Sequence, residues 1–264
     1  MSETITGVHE MKNDRVAKIE EILRENGNVQ TSELSKLFNV SDITIHRYLN
    51  LLESDGILKR TRGGAVAVPL EPEFRYPKRS LSNIREKEAI AKCVAGLIKE
   101  GDTIILDGST TNISVARQLC GFNDLIVYTM SPYVMNELLG AYGVVLYSSG
   151  GLFSREMAHF VGSPFDESLL QLRVDKSVIG ASAISREKGV TGPYYQLTSI
   201  QKRIIECSNT VILAADHTKF DRSAIERVAD IESIDYLVTD SGIDSENAAY
   251  FGAKTNLIIA EKPV

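Results

Sequence analysis

Cysteine is scarce and scattered in this chain of 264 residues: Cys93, Cys120 and Cys207 are odd in number and far apart. That excludes a disulfide framework and a CxxC-type zinc site, and predicts small buried hydrophobes in a reducing cytoplasm. No apolar run approaches the roughly 18 residues that a membrane helix needs, which excludes an integral membrane role. The opening residues MSETITGVHE lack the basic and apolar regions of a signal peptide, so secretion is not expected. His9, His46, His159 and His217 lack metal-ligand spacing, so no metal site and no cofactor are expected. A G-x-S-x-G elbow is also missing, which leaves Asp216-His217 without a hydrolase context. Positive charge is in deficit, 29 Lys and Arg against 35 Asp and Glu. Any contact with nucleic acid must therefore use a local surface.

The residues that are present fall into two regimes that meet near residue 70. The join, Val68 to Pro77, holds three of the seven prolines and reads as a linker. Before it, residues 12–26 carry Val16, Ile19, Ile22 and Leu23 at helical spacing and stop at Asn26-Gly27. Thr31 or Ser32 then caps a short helix expected to bury Leu34, Leu37 and Phe38. A turn at Asn39-Val40 leads to a third helix, capped by Ser41, running to about Asp55 and stopped by Gly56. Two short helices joined so tightly form a helix-turn-helix.

At 100° per residue, Ile45, Leu49 and Leu52 share the packed side of the third helix, with Tyr48 at its edge. Ile43, Arg47 and Asn50 point away, flanked by Thr44 and His46. A cation, an imidazole, an amide and hydroxyls suit base edges and phosphates, although a solvated face reads the same way. The segment after this helix favours nucleic acid. Ile57 to Val68 reads as a hairpin with a basic first strand and a Gly63-Gly64 turn. Positions 56–68 hold three basic and no acidic residues, and Arg60 and Arg62 are placed to lie along phosphates or enter a minor groove.

These motifs carry a family resemblance. Ser41-x-x-Thr44-Ile45-x-Arg47-x-Leu49, then Leu51-Leu52-Glu53 and Gly56, then Arg62-Gly63-Gly64-Ala65, resemble the DeoR family of bacterial transcription regulators. The usual reading-helix run of that family is Thr-Ile-Arg-Arg-Asp-Leu. Here it is Thr44-Ile45-His46-Arg47-Tyr48-Leu49, so a fixed cation and a carboxylate are replaced. The predicted DNA contacts are Ser41, Thr44, His46, Arg47, Asn50, Arg60, Arg62, Gly63 and Gly64.

Past the join, an amphipathic helix over 83–99 precedes a strand at Asp102–Asp107. That strand runs into Gly108-Ser109-Thr110-Thr111 and a helix through Leu119. Strand, hydroxyl-rich turn and helix N-terminus make either an oxyanion cradle or a plain helix cap. Further strands are expected at Leu125–Thr129, Val144–Ser148, Lys176–Ala181, Thr210–Ala215, Tyr236–Thr239 and Asn256–Ala260. Helices between them are expected at Pro132–Leu139, Asp166–Leu172 and Leu197–Cys207. The alternation predicts a largely parallel sheet, with ligands at the carboxyl ends of its strands. Asp107 to Thr111, Ser149-Gly150-Gly151 and Asp216 to Lys219 all come directly after strands.

This half also resembles the DeoR family, whose effector domain is similar to ribose 5-phosphate isomerase. By that resemblance Ser109 to Thr111 hold the phosphate of a sugar phosphate and Lys219 supplies its counter-charge. The predicted effector set is Asp107, Gly108, Ser109, Thr110, Thr111, Gly150, Gly151 and Lys219, with Asp107 accepting sugar hydroxyls or orienting the loop. The isomerase carboxylates and lysine have no counterpart in Ile179-Gly180-Ala181-Ser182 or Gly189 to Pro193, so no catalytic residues are expected.

The resulting expectation is an α/β protein with three parts. These are a winged helix-turn-helix over 1–68, a linker over 69–82 and a ribose 5-phosphate isomerase-like sensor domain over 83–264. It would act in the cytoplasm as a homo-oligomer, a dimer or tetramer, on double-stranded operator DNA. A phosphorylated sugar or polyol would control it. The rival expectations are an isomerase-like enzyme with an accessory DNA-binding domain, and a protein whose helix-turn-helix makes only protein contacts.

Overall fold

The computed structural model describes residues 15–16, 18–19, 22–23, 26–54, 58–67, 76–154, 157–162 and 172–261. It divides into two compact units, Met1–Leu70 and Glu71–Val264. Gly56, residues 68–75 of the expected linker and most of the helix expected at Asp166–Leu172 lie outside the described residues.

In the first unit, helical residues between Arg15 and Asn26 lead to β1 (Asn28–Gln30), α1 (Thr31–Phe38) and α2 (Asp42–Ser54). Strands β2 (Leu58–Arg60) and β3 (Gly64–Ala67) come next, and the sheet order is β1-β3-β2, antiparallel throughout. Ile45, Leu49 and Leu52 are fully buried with Ile19, Leu23, Leu34 and Leu58, and Tyr48 packs at the margin. Each such aliphatic side chain contributes about 1.5–3 kcal/mol of burial, which explains why this stripe fixes the rotation of α2.

Two expectations fail here. Neither Thr31 nor Ser32 caps α1. Its N-cap is Gln30, without a side-chain bond, and the Thr31 amide donates to the Gly63 carbonyl at 2.8 Å. Leu37 is exposed rather than buried. Strand β1 was not anticipated, since a three-residue strand after a helix carries no periodicity of its own.

The second unit begins with α3 (Tyr76–Leu81) and α4 (Ile84–Ala95). The expected linker is therefore corrected at its C-terminal end, where α3 forms and packs on the helix Thr110–Leu119. Seven strands make one parallel sheet, introduced here in chain order: β4 (Thr103–Leu106), β5 (Leu125–Thr129), β6 (Val144–Ser148), β9 (Val174–Gly180), β12 (Ser208–Ala214), β14 (Tyr236–Asp240) and β15 (Asn256–Ala260). Their spatial order is β15-β14-β12-β9-β4-β5-β6. The helices are α5 (Thr110–Leu119), α6 (Pro132–Leu138), α7 (Tyr195–Glu206) and α8 (Ser245–Gly252). Short antiparallel pieces complete the unit: β7 (Leu152–Ser154) with β8 (His159–Val161), and β10 (Ala183–Ser185) with β11 (Gly189–Gly192) and β13 (Glu226–Ala229).

Both sheet faces are covered, as a parallel sheet requires. Ile104, Leu106, Val127, Val178 and Val238 pack with residues of α4, α5 and α6, whereas Ile105, Ile179, Leu213 and Leu237 pack with residues of α7 and α8. Met130, Met157 and Tyr194 are buried, Tyr195 is exposed, and Cys120 is exposed rather than a buried hydrophobe. Among the described residues no helix is long and apolar enough to cross a membrane, and no three His, Cys, Asp or Glu are placed to hold a metal ion.

Candidate functional site

The outward face of α2 forms as the wheel requires. Ile43, His46, Arg47 and Asn50 are exposed, and Thr44 is half-buried. Ser41 caps the helix, its Oγ accepting from the Thr44 amide at 3.3 Å and lying 3.0 Å from the Thr44 hydroxyl. Asn39, at φ +50° and ψ +52°, supplies the left-handed turn residue between α1 and α2.

The wing differs from a flexible basic tip. Gly64 opens β3 opposite Gln30 and is buried, and a Cβ there would lie 1.9 Å from the Val29 carbonyl oxygen. Glycine is required here because two backbones approach each other. Arg62 and Gly63 remain exposed. Arg60 folds back. Its Nε donates to Gly64 O at 3.3 Å, and its amide donates to Glu53 Oε1 at 2.7 Å. Its two terminal nitrogens reach Asn50 Oδ1 and His46 Nδ1.

In the second unit the chain runs from β4 to β5 and β6 on one side, then starts again at β9 on the other. The gap between the carboxyl ends of β4 and β9 is thus the topological switch point, the place where open parallel sheets bind ligands. Asp107 to Thr111 leave β4 there, and Gly180 ends β9.

Asp107 holds this crevice together. Its Oδ1 accepts from the Ser109 amide and from Asn112 Nδ2, and its Oδ2 from the Gly180 amide and from Gln201 Nε2, each at 2.9 Å. The carboxylate is 2% exposed and meets four donors, which hold the loop around it.

Gly108 is likewise engaged. Its amide donates to His159 Nε2 at 2.9 Å, and a Cβ would lie within 2.6 Å of that ring. His159 Nδ1 lies 2.6 Å from Met157 O, so the ring donates there and accepts from Gly108. Burial pushes this imidazole below its ordinary range, against the pull of Asp107. Ser109 caps α5, its Oγ accepting from the Asn112 amide. The cradle is therefore narrower than expected: the first amides of α5, at Thr110 and Thr111, are the ones with no intrahelical partner.

Gly150 and Gly151, at φ +62° and +104°, turn the chain after β6. Lys219 ends a short 3-10 helix (His217–Lys219) after β12. Each site lies two strands from β4, roughly 10 Å away at the usual strand spacing. Lys219 lies on the β9 side of the switch point, and Gly150 and Gly151 on the other.

Several residues at this edge carry no motif in the sequence. Lys87, on α4, is buried and donates to the carbonyls of Arg79 and Ser82. Burial pulls it down to about 8, opposed by Asp216 and assisted by Lys219 and Arg79. Asn83, at φ +51°, donates to Asp216 Oδ1 at 2.9 Å. The other oxygen of Asp216 is buried without a partner. His217 is held by Asp240, which accepts from both its amide and its Nδ1 at 2.8 Å. A lone lysine on an amphipathic helix and an asparagine before it give no signal until the fold carries them to the strand ends.

The profile of the DeoR-like helix-turn-helix domain matches residues 15–69, and that of the DeoR C terminal sensor domain matches residues 82–241. The transcriptional repressor AccR of Agrobacterium fabrum is 36% identical over 87% of this chain and 90% of its own. A putative aga operon transcriptional repressor of Escherichia coli is 32% identical over 92% of this chain and 90% of its own. The glycerol-3-phosphate regulon repressor of Escherichia coli is 30% identical over 84% and 88%. Among solved structures, a D-ribose-5-phosphate isomerase matches at TM-score 0.37 and 16% identity, over 51% of this chain and 52% of its own. With a helix-turn-helix unit followed by a sensor unit, the chain belongs to the DeoR family of DNA-binding transcriptional regulators.

Proposed function

We propose that the protein represses a carbohydrate-metabolism operon and that a phosphorylated small sugar or polyol controls it from the switch point of the parallel sheet. The carrying observation is the meeting of the α5 N-terminus with the crevice between β4 and β9, with Lys219 and Lys87 on its far side. A dianionic phosphate gains from the amides of Thr110 and Thr111 and from the two ammonium groups. The partnerless Asp216 oxygen is an acceptor for a sugar hydroxyl. Relatives named for the aga operon and the glycerol-3-phosphate regulon support this class of effector.

The ligand is bound and not converted. Asp107 and Asp240, the other buried carboxylates at these strand ends, are engaged by donors, and the relatives that this chain matches are named as repressors. The protein works in the cytoplasm, and as a homo-oligomer, because one winged helix reads only a short half-site and paired modules gain affinity and matched spacing.

Titration calorimetry of the wild type, Thr110→Ala and Lys219→Ala against paired phosphorylated and free sugars tests the effector. The phosphorylated member should bind more tightly, Lys219→Ala should lose that preference, and Thr110→Ala, which keeps the backbone amide, should lose only what the hydroxyl adds. Equal affinity within every pair would reduce the loop to a helix cap, and isomerase turnover would favour the enzyme reading. On DNA, Arg47→Ala should cost on the order of 1–3 kcal/mol if the side chain reads a base.

A further inference from the structure

Among the described residues, the side chain of the wing arginine at position 60 meets Asn50 and His46 on α2 and Gly64 across the hairpin, while its amide donates to Glu53. We propose that Arg60 is a positioning residue for the reading helix, fixing Asn50 and the tautomer of His46, and that it does not contact phosphate.

The chemistry rests on donor and acceptor counts. A guanidinium has only donors, so the His46 nitrogen it meets, Nδ1, accepts, and the ring proton sits on Nε2. His46 is exposed on the outward face of α2, with Nε2–H as its unengaged polar atom. The Asn50 carbonyl oxygen also accepts from Arg60, which fixes the orientation of the amide and leaves its NH₂ group unengaged. His46, which has donor and acceptor options, is thereby restricted to donating, and Asn50 is held in one amide orientation. In the major groove, guanine N7 and O6, adenine N7 and thymine O4 accept, whereas cytosine presents only an N4–H₂ donor. The pair Arg60–His46 therefore selects against cytosine on the contacted strand.

This inference rests on the outward face of α2 being the DNA-reading face, and its test separates the two. Enrichment from a randomised duplex pool is performed with the full-length wild type, Arg60→Ala, Arg60→Lys and Arg47→Ala, and binding to the wild-type consensus is measured against salt. Lysine keeps the charge but has no fork to span His46 and Asn50. Both Arg60 variants should lose about fivefold discrimination against cytosine at one position, the range of a single hydrogen bond. The salt slope should stay unchanged in both. A slope that drops by about 0.9 in Arg60→Ala and returns in Arg60→Lys would identify a phosphate contact and overturn the proposal. A second readout needs no DNA. The imidazole nitrogen resonances of His46, assigned by their loss in His46→Gln, should show the Nε2–H tautomer in the wild type and a mixed population in Arg60→Lys. An Nδ1–H tautomer in the wild type would overturn the proposal whatever the DNA shows. Unaltered base preferences in Arg47→Ala would instead fault the reading-face assignment, while the tautomer still decides the role of Arg60.

Discussion

Helices α2 and α5 both start at a serine cap in a hydroxyl-rich turn, and they use their surroundings in opposite ways. Around α2 the apolar stripe faces inward and Ile43, His46, Arg47 and Asn50 are exposed. Around α5 the first polar groups turn inward: Asp107 gathers four donors and Gly108 is held by His159. The first arrangement presents chemistry to a partner on a rigid rod. The second spends most of its polar groups on building a rigid crevice and leaves only a few for a ligand. A polar, glycine-containing turn is therefore weak evidence of contact with a ligand, since buried polar groups must first satisfy one another.

Substitutions test this contrast, and the largest effect is expected at Asp107. Asp107→Asn keeps the shape but turns one acceptor oxygen into a donor among four donors. It should cost on the order of 2–4 kcal/mol in urea unfolding of the second unit. Wild-type stability with altered ligand affinity would show that the carboxylate belongs to the ligand site after all.

A smaller effect is expected within the wing. Gly64→Ala drives a Cβ against the Val29 carbonyl and should destabilise the first unit by about 1–3 kcal/mol, lowering DNA affinity through folding. Gly63→Ala meets only the end of the Gln30 side chain, at 3.1 Å, and should stay within about 0.5 kcal/mol of the wild type. Equal effects of the two substitutions on thermal unfolding would return Gly64 to the role of a flexible tip.

The mildest test is pH. Lys87 is pulled down to about 8, so it is charged below that value and neutral above it. Anion affinity should therefore fall a few-fold between pH 7 and 9. The phosphate itself, with a second pKa near 6, stays dianionic across that range. Calorimetry at the two pH values reads the effect, and Lys87→Met should flatten it. An equal fall in that variant would assign the dependence to another group.

Much of the architecture was legible because it rests on local periodicity. The apolar spacing of Ile45, Leu49 and Leu52 set the face of α2, and strands Leu125–Thr129, Val144–Ser148 and Asn256–Ala260 form where their apolar runs predict. Boundaries marked by capping and turn chemistry were also readable, at Ser41, Asn39 and Ser109. The fold class, the helix-turn-helix and the place where strand β4 meets a helix all derive from such short-range rules.

Which polar groups remain for a partner was settled only in three dimensions. Arg60 looks like any basic wing residue until the hairpin returns it to His46 and Asn50, ten or more positions earlier in the chain. Asp107 looks like a ligand carboxylate until β9 and α7 bring Gly180 and Gln201 to it. Lys87 and Asn83 carry no motif, and they reach the strand ends only because α4 packs beside the sheet. Hydrogen bonds and charge interactions fall off over a few ångströms, so they depend on contacts distant in sequence. Side-chain periodicity depends only on neighbours along the chain, and that part of the molecule was set by residue order alone.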